Sequence, residues 1–312
     1  MRISTSLFTN DLLTQMNQLQ SQELQLQNET TTGLKVTLPE DDPSAMGQAL
    51  DLQAQSDANT QYQSNITQLQ STATTAASAM SSLQTITEQA QTIATEASGV
   101  TSSTQLSTYA TQVANLIQEA LQAANTKDTQ GNYLFGGTIN NQTPFVASTD
   151  ADGNVTAVTY QGNTDTSQSL IGPGQTVSDQ VPGENTTGSG PTGLLADSRS
   201  GADLFGDLIS LQQNLSSGNT SAIASTNSAN LTKDEDNITS NIAQNGVLQS
   251  TLQAASTAST QMSTTLTTQT SNLTGADLTT TLTQLDQTET ALQAALESGE
   301  KIMNLSILNY LQ

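Results

Sequence analysis

The amino-acid sequence predicts a mainly α protein: an elongated antiparallel helical bundle or coiled coil built from both chain ends, with a small β-rich domain inserted in the middle. Three observations carry that prediction. Apolar residues toward both ends recur at alternating spacings of 4 and 3, the mark of a helical seam. Between Gly131 and Gly193 the texture changes to Gly, Pro, Asn and Asp around short apolar runs, which reads as β. Finally, only 34% of the 312 residues are hydrophobic and 3% aromatic, against roughly 45 to 50% apolar in an ordinary globular domain. Such a chain has material for narrow seams rather than for one thick core.

The first seam is Leu12, Met16, Leu19 and Leu26, with Glu23 in the intervening slot. It breaks at Thr32-Gly33 and again across Leu38-Pro39-Glu40-Asp41-Asp42-Pro43. Proline restricts the residue before it, and Asp42, Pro43 and Ser44 supply helix-start chemistry, so a second helix begins near Pro43. Ile66, Leu69, Ala73, Ala76, Met80, Leu83, Ile86, Ala90, Ile93 and Ala97 continue it without Gly or Pro among them. Extended to Ser98, that helix would measure on the order of 80 Å. Gly99 and the Ser/Thr cluster after it form a turn, and Leu106, Ala110, Val113, Ile117 and Ala120 carry a third helix to about Ala124.

In the middle, Asn132-Tyr133-Leu134-Phe135-Gly136-Gly137 reads as a short strand ended by glycines. Asp152-Gly153-Asn154 reads as a hairpin turn feeding the alternating strand Val155 to Tyr160, and further breaks fall at Gly172-Pro173-Gly174 and Pro182-Gly183. Helical periodicity returns at Leu204, Leu208, Leu211 and Leu215, then in a long segment with Leu248, Leu252, Ala255, Ser259, Met262, Leu266, Gln269 and Leu273. After Gly275 a last segment carries Leu278, Leu282, Leu285, Glu289, Leu292 and Leu296, followed by an apolar run with Leu305, Ile307, Leu308 and Leu311. The breakers divide the chain into an N-terminal assembly helix and linker (1–40), a first bundle segment (41–130), a β-rich projecting domain (131–200), a second bundle segment (201–274) and a C-terminal assembly helix (275–312). The inner seams are expected to close on each other within one chain. The short terminal seams, set apart by Gly33, Pro39 and Gly275, are expected to become ordered by packing in an assembly.

Composition narrows the function. Lys and Arg number 6 against 28 Asp and Glu, a net charge of −22, and Cys, His and Trp are absent. That sign and that sparse basic content argue against nucleic-acid or membrane binding. Missing Cys and His exclude a thiolate nucleophile, a Ser-His-Asp triad and imidazole or thiolate metal sites. The expectation is a protein that is not an enzyme and carries no cofactor. Met1 to Thr5 opens no apolar stretch of the ~7 to 15 residues that a cleavable leader has. No window approaches the ~20 apolar residues of a membrane span, which by ordinary rules reads as a cytoplasmic protein.

Three acidic motifs have plainer readings than chemistry. Asp150-Ala151-Asp152-Gly153-Asn154 echoes a calcium loop but lacks the downstream Glu, and reads as a turn. Asp41-Asp42 before Pro43 reads as a helix cap rather than an acid-base pair. Lys233-Asp234-Glu235-Asp236 reads as a solvated helix patch.

Thr31-Thr32-Gly33-Leu34-Lys35-Val36, then Glu40-Asp41-Asp42-Pro43 and an Ala-rich helix containing Asn65-Ile66, resembles the N-terminal region of bacterial flagellins and their junction relatives. Ala124-Asn125-Thr126-Lys127-Asp128-Thr129-Gln130-Gly131 leading into Asn132 to Thr138 is similar to the helix end and hairpin of the family's hook-associated protein 3 branch. Pro144-Phe145, Tyr160-Gln161-Gly162 and Ile171-Gly172-Pro173-Gly174 follow in that branch's order, and Leu305 to Leu311 resembles its ending. The resemblance implies a structural subunit of the flagellum, exported without a cleavable leader and located outside the cell as the adaptor at the hook–filament junction. It implies as partners copies of itself in a ring, a neighbouring hook-associated protein and filament flagellin, and an export chaperone covering the C-terminal helix. The subunit-packing seams would be Leu12, Met16, Leu19 and Leu26 with Leu278, Leu282, Leu285, Leu292, Leu296, Leu305, Ile307, Leu308 and Leu311. A filament flagellin is the near alternative, and an extracellular adhesin using the β-rich middle to bind a glycan is the reading from another class.

Overall fold

In the computed structural model, residues 2–151 and 153–308 are described, with side chains from 10 to 301. Helices dominate: α1 (Arg2–Thr32), α2 (Pro43–Ala97), α3 (Ser103–Ala124), α4 (Leu204–Ser217), the short α5 (Thr220–Ala222) with a π-turn over Ile223–Asn227, α6 (Ser228–Thr274) and α7 (Leu278–Leu308). The helix starts are written in local chemistry. Asp42 Oδ1 accepts the Ser44 and Ala45 amides at 3.0 and 2.9 Å, the N-cap expected before Pro43. Asp41 instead clasps the preceding loop, accepting the Thr37 and Leu38 amides at 2.9 Å each, and those backbone bonds hold its carboxyl below the usual range.

The chain divides into two compact units, residues 59–261 and residues 1–58 with 262–312. In the 59–261 unit, all ten predicted seam residues of α2 from Ile66 to Ala97 are buried, as are Leu106, Ala110, Val113, Ile117 and Ala120 of α3 and Leu204, Leu208, Leu211 and Leu215 of α4. α2 and α6 run antiparallel there: Asn59 Nδ2 donates to Ser259 O at 2.9 Å, while Gln91 Nε2 donates to Thr232 Oγ1 at 2.9 Å. Ile66, Leu69 and Ala73 pack with Leu252 between these points.

The middle segment folds as small ribbons on this core. β1 (Phe145–Thr149) pairs antiparallel with β2 (Val155–Tyr160), and β3 (Ser169–Gly172) with β4 (Gln175–Val177). β6 (Ala196–Asp197) lies between a parallel β5 (Glu184–Asn185) and an antiparallel β7 (Ala202–Asp203). The β1–β2 turn uses Asp150 as the sequence suggests: its Oδ1 accepts the Asn154 amide at 2.9 Å, so the carboxylate is consumed by turn geometry. Asp152 of that motif lies outside the described residues.

Two sequence expectations are corrected. Asn132 to Gly137 is not a strand; Tyr133 makes one isolated bridge to Lys127 and the rest is turn. Leu134 and Phe135 are both buried, and neighbours in a strand would point to opposite faces. Second, the Lys233 to Asp236 patch is not wholly solvated, because Asp234 is buried on the inner face of α6.

Aromatic residues tie the ribbons to the helices. The Phe145 ring sits 5.1 Å from Tyr160 and 5.4 Å from Phe205 of α4, centroid to centroid. Tyr160 Oη donates within reach of Phe135 O and Asn163 O at 3.0 and 3.1 Å and accepts the Gly183 amide at 3.1 Å. Burial is the main reason its hydroxyl is pushed up to about 12. A Cβ at Gly183 would collide with the Phe145 and Tyr160 rings, so only glycine fits there. Nearby, the buried Asp197 carboxylate takes Arg199 Nε at 2.9 Å and Nη2 at 2.6 Å, together with the Gly193 amide at 2.9 Å. The Arg199 fork is the largest of the effects that hold Asp197 down at about 2.

Candidate functional site

The 1–58 and 262–312 unit contains the terminal seams, and in it α1 and α7 pack side by side. Their register is set at two points. Leu34 and Gly275 form an antiparallel bridge, with Lys35 N donating to Thr274 O at 2.8 Å and Ala276 N to Gly33 O at 2.9 Å. At the other end, a Cβ built on Gly299 would meet Leu12 Cδ2 at 3.0 Å. The helices are therefore antiparallel along their length. Gly33, at φ 71°, ends α1 in the left-handed conformation that L-residues avoid. Asp277 starts α7 by accepting the Thr279 amide at 3.0 Å and Thr280 Oγ1 at 2.9 Å; the Thr280 hydroxyl is the first cause of its lowered carboxyl.

On α1 the structure turns the predicted seam toward α7: Leu26 is buried and Leu12, Met16, Glu23 and Leu19 are half-buried. On α7 the inward row is Thr281, Leu285, Thr288, Leu292, Ala295 and Gly299. The predicted row shares only Leu285 and Leu292 with it. Leu278, Leu282 and Leu296 stand 47%, 47% and 51% exposed, while Thr281 and Thr288 are 5% and 6% exposed. Leu305, Ile307 and Leu308 belong to α7, but their side chains, like all of Leu311, lie outside the described residues.

Close approach explains the choice of face. Large Leu and Met side chains on α1 require small partners opposite, and Thr, Ala and Gly supply them. The buried Thr288 hydroxyl is satisfied on its own helix by Gln284 O at 2.8 Å, leaving its methyl to pack. The signal missed in the sequence was thus a second 4-3 row that shares Leu285 and Leu292 with the predicted one and otherwise consists of the small residues Thr281, Thr288, Ala295 and Gly299. What remains is the outward set Leu278, Leu282 and Leu296 on the flank of α7, with Leu13 and Leu24 of α1 also exposed at 52% and 57%.

Elsewhere in the 59–261 unit a polar cleft of about 200 Å³ is lined by Asn65, Gln68, Asp128, Tyr133, Asn140 and Asp179. Burial raises the Asp179 carboxyl. Among the described residues no group of three or more Asp and Glu is placed to hold a metal ion, and no helix is long and apolar enough to cross a membrane.

Comparison with known families matches residues 3–140 to the bacterial flagellin N-terminal helical region. This flagellin-type region takes in α1, α2 and α3 and the buried turn at Phe135, and it contains the Thr31 to Val36 and Ala124 to Thr138 motifs. Solved structures with a similar fold include a candidate flagellar hook-associated protein of Vibrio parahaemolyticus, at 19% identity and TM-score 0.64, covering 75% of this chain and all of its own. FlgL of Bacillus cereus is 16% identical with a TM-score of 0.57, over 71% of this chain and 99% of its own. The flagellar junction protein FlgL of Legionella pneumophila is 15% identical with a TM-score of 0.51, over 66% and 99%. At these identities the likeness is one of fold. No curated protein sequence matches the chain.

Proposed function

We propose that this chain is a structural subunit of the bacterial flagellum, the adaptor at the hook–filament junction, assembling through its terminal helices. The observation that carries the reading is the outward leucine row of α7, Leu278, Leu282 and Leu296, beside an inward face already filled by α1. The flagellin-type region and the fold shared with hook-associated and junction proteins support it. Each subunit closes one face of α7 on its own α1 and offers the leucine flank to the next copy in a ring. The neighbouring hook-associated protein and filament flagellin lie above and below, and an export chaperone covers the C-terminal helix until it packs. The β-rich segment projects outward, and the assembled protein is extracellular. No bond is made or broken; apolar area removed from water drives association.

Deleting the protein from its cell tests the role. The expected result is filament subunits released into the medium instead of polymerised; normal filaments on the deletion strain would overturn the junction role. The description of the matched region is that of flagellin itself, which favours filament flagellin as the second reading. Copy number separates the two, since thousands of subunits along the filament would replace the junction assignment.

A further inference from the structure

Extended backwards from Leu252 and Leu248, the 4-3 rhythm of α6 falls on Asn245, Asn241, Ile238, Asp234 and Leu231, and then on Asn227 in the π-turn before it, all of them buried. Asn241 Nδ2 donates to Asn237 O at 2.9 Å and Asn227 Nδ2 to Ser210 Oγ at 3.1 Å, while Asn245 Oδ1 accepts Gln249 Nε2 at 2.7 Å and its own Nδ2 is left unpartnered. Asp234 is the acid of this row. It is 1% exposed, its Oδ1 accepts the Asp203 amide at 2.8 Å, and its Oδ2 has no partner among the protein's donors. Asn230, one helical turn before Asp234 on α6, donates its Nδ2 at 2.8 Å to the carboxyl of Asp207, which is itself buried in the first turn of α4, so the Asp207 carboxyl lies against the stretch of α6 that carries Asp234. Two carboxylates are both acceptors, so they can bond each other only through a proton.

We propose that Asp234 and Asp207 share one proton in the folded subunit, and that this proton is a pH-sensitive latch fastening the start of α4 to α6. The charged groups around the pair leave little alternative. Asp203, at the end of β7, caps α4 by accepting the Gly206 amide at 3.1 Å and adds a third carboxylate. Glu184 of β5 faces Asp203. Among the described residues the cation that acts on the pair is Lys233 on α6, which is exposed and directs its ammonium to Asn230 Oδ1 at 3.2 Å. Ionising the whole group would bury like charges with too little compensation. Burial, and then the Asp207 charge, push Asp234 up to about 8; burial also raises Asp207.

The direction follows from linkage. The folded carboxyl holds its proton more tightly than the unfolded one, whose ordinary value is 3.8. The stability that the proton contributes is therefore complete below about pH 4 and is lost as pH rises through about 8. The experiment is urea unfolding of the full chain and of Asp234→Asn from pH 5 to 9. Asn keeps the shape and offers Asp207 an amide hydrogen that does not titrate. The unfolding constant of the wild type, divided by that of the variant, is expected to rise about tenfold per pH unit until it levels off near pH 8. A ratio that stays constant over the range would overturn the proposal. Should the variant not fold, infrared spectra of the wild type decide: a protonated-carboxyl stretch present at pH 6 and gone at pH 9 supports the latch, and fully ionised carboxylates at pH 6 refute it.

Discussion

The α1–α7 pair and the helical core of residues 59–261 use the same 4-3 rhythm with opposite chemistry. In the core, α2, α3 and α4 turn their Leu, Ile and Ala inward and leave Thr, Ser and Gln to water. In the pair, α7 turns Thr281, Thr288, Ala295 and Gly299 inward and leaves Leu278, Leu282 and Leu296 outside. Periodicity says that a segment is helical; it does not say which of two adjacent rows meets the partner inside the chain. A helix that hides threonine and shows leucine has been completed on one side only.

Substitutions can test how deep that contrast runs. The largest loss is expected in the core, where Leu208→Ala or Phe135→Ala would leave a cavity at a fully buried site and cost about 3 to 5 kcal/mol. Urea unfolding measures it, and a loss no larger than those of the terminal pair would erase the distinction. In the pair, Gly299→Leu should push Leu12 away and cost about 1 to 3 kcal/mol by overpacking, splaying α1 from α7. Amide exchange in α1 should then accelerate while exchange in α4 is unchanged; uniform acceleration would mean that the pair is not a separate contact.

Asp197→Asn comes next, at about 1 to 2 kcal/mol near neutral pH, because it weakens the charge-assisted bonds from a half-exposed Arg199 and from the Gly193 amide. Its pH dependence has a definite sign. Asp197 titrates lower in the folded chain, so its contribution is present above about pH 4 and lost as pH falls through about 2. The wild type should thus lose its advantage over the variant in acid, and an advantage that persists to pH 1.5, roughly half a unit below that value, would rule out the charge as its source. The smallest effect on the folded subunit is expected from Leu278→Ser, Leu282→Ser and Leu296→Ser together, each within about 0.5 kcal/mol. The same triple variant should abolish self-association in sedimentation, and unimpaired association would remove this flank from the assembly contact.

Much of the fold was legible because its punctuation is local. Gly33, Asp42-Pro43, Gly99 and the turn between Asp150 and Asn154 act on their immediate neighbours, and each behaves as short-range chemistry dictates. What was illegible depends on partners distant in sequence. The inward face of α7 is chosen by the bulk of Leu12, Met16 and Leu26 on a helix far away in the chain, and hydropathy alone favours the leucines instead. Asp234 sits in a charged run that normally faces water, and only the phase carried back from Leu252 places it inside. Phe135 looked like a strand residue because its run is apolar, yet its glycines let the chain turn and bury consecutive side chains.

The Leu34–Gly275 bridge has a consequence for timing. It joins residues roughly 240 positions apart, and contacts of such separation form late because the loop between them must first be closed. During synthesis α1 emerges long before α7 exists, so it must wait without its partner while the core of residues 59–261 takes shape. Its sequence suits that wait: between the seam residues from Leu12 to Leu26 it carries mostly Gln, Asn, Ser and Thr, which hold an unpaired helix in water with little to aggregate. The sparse seam is then a matter of order of events as well as of strength, since a richer one would have found the wrong partner first.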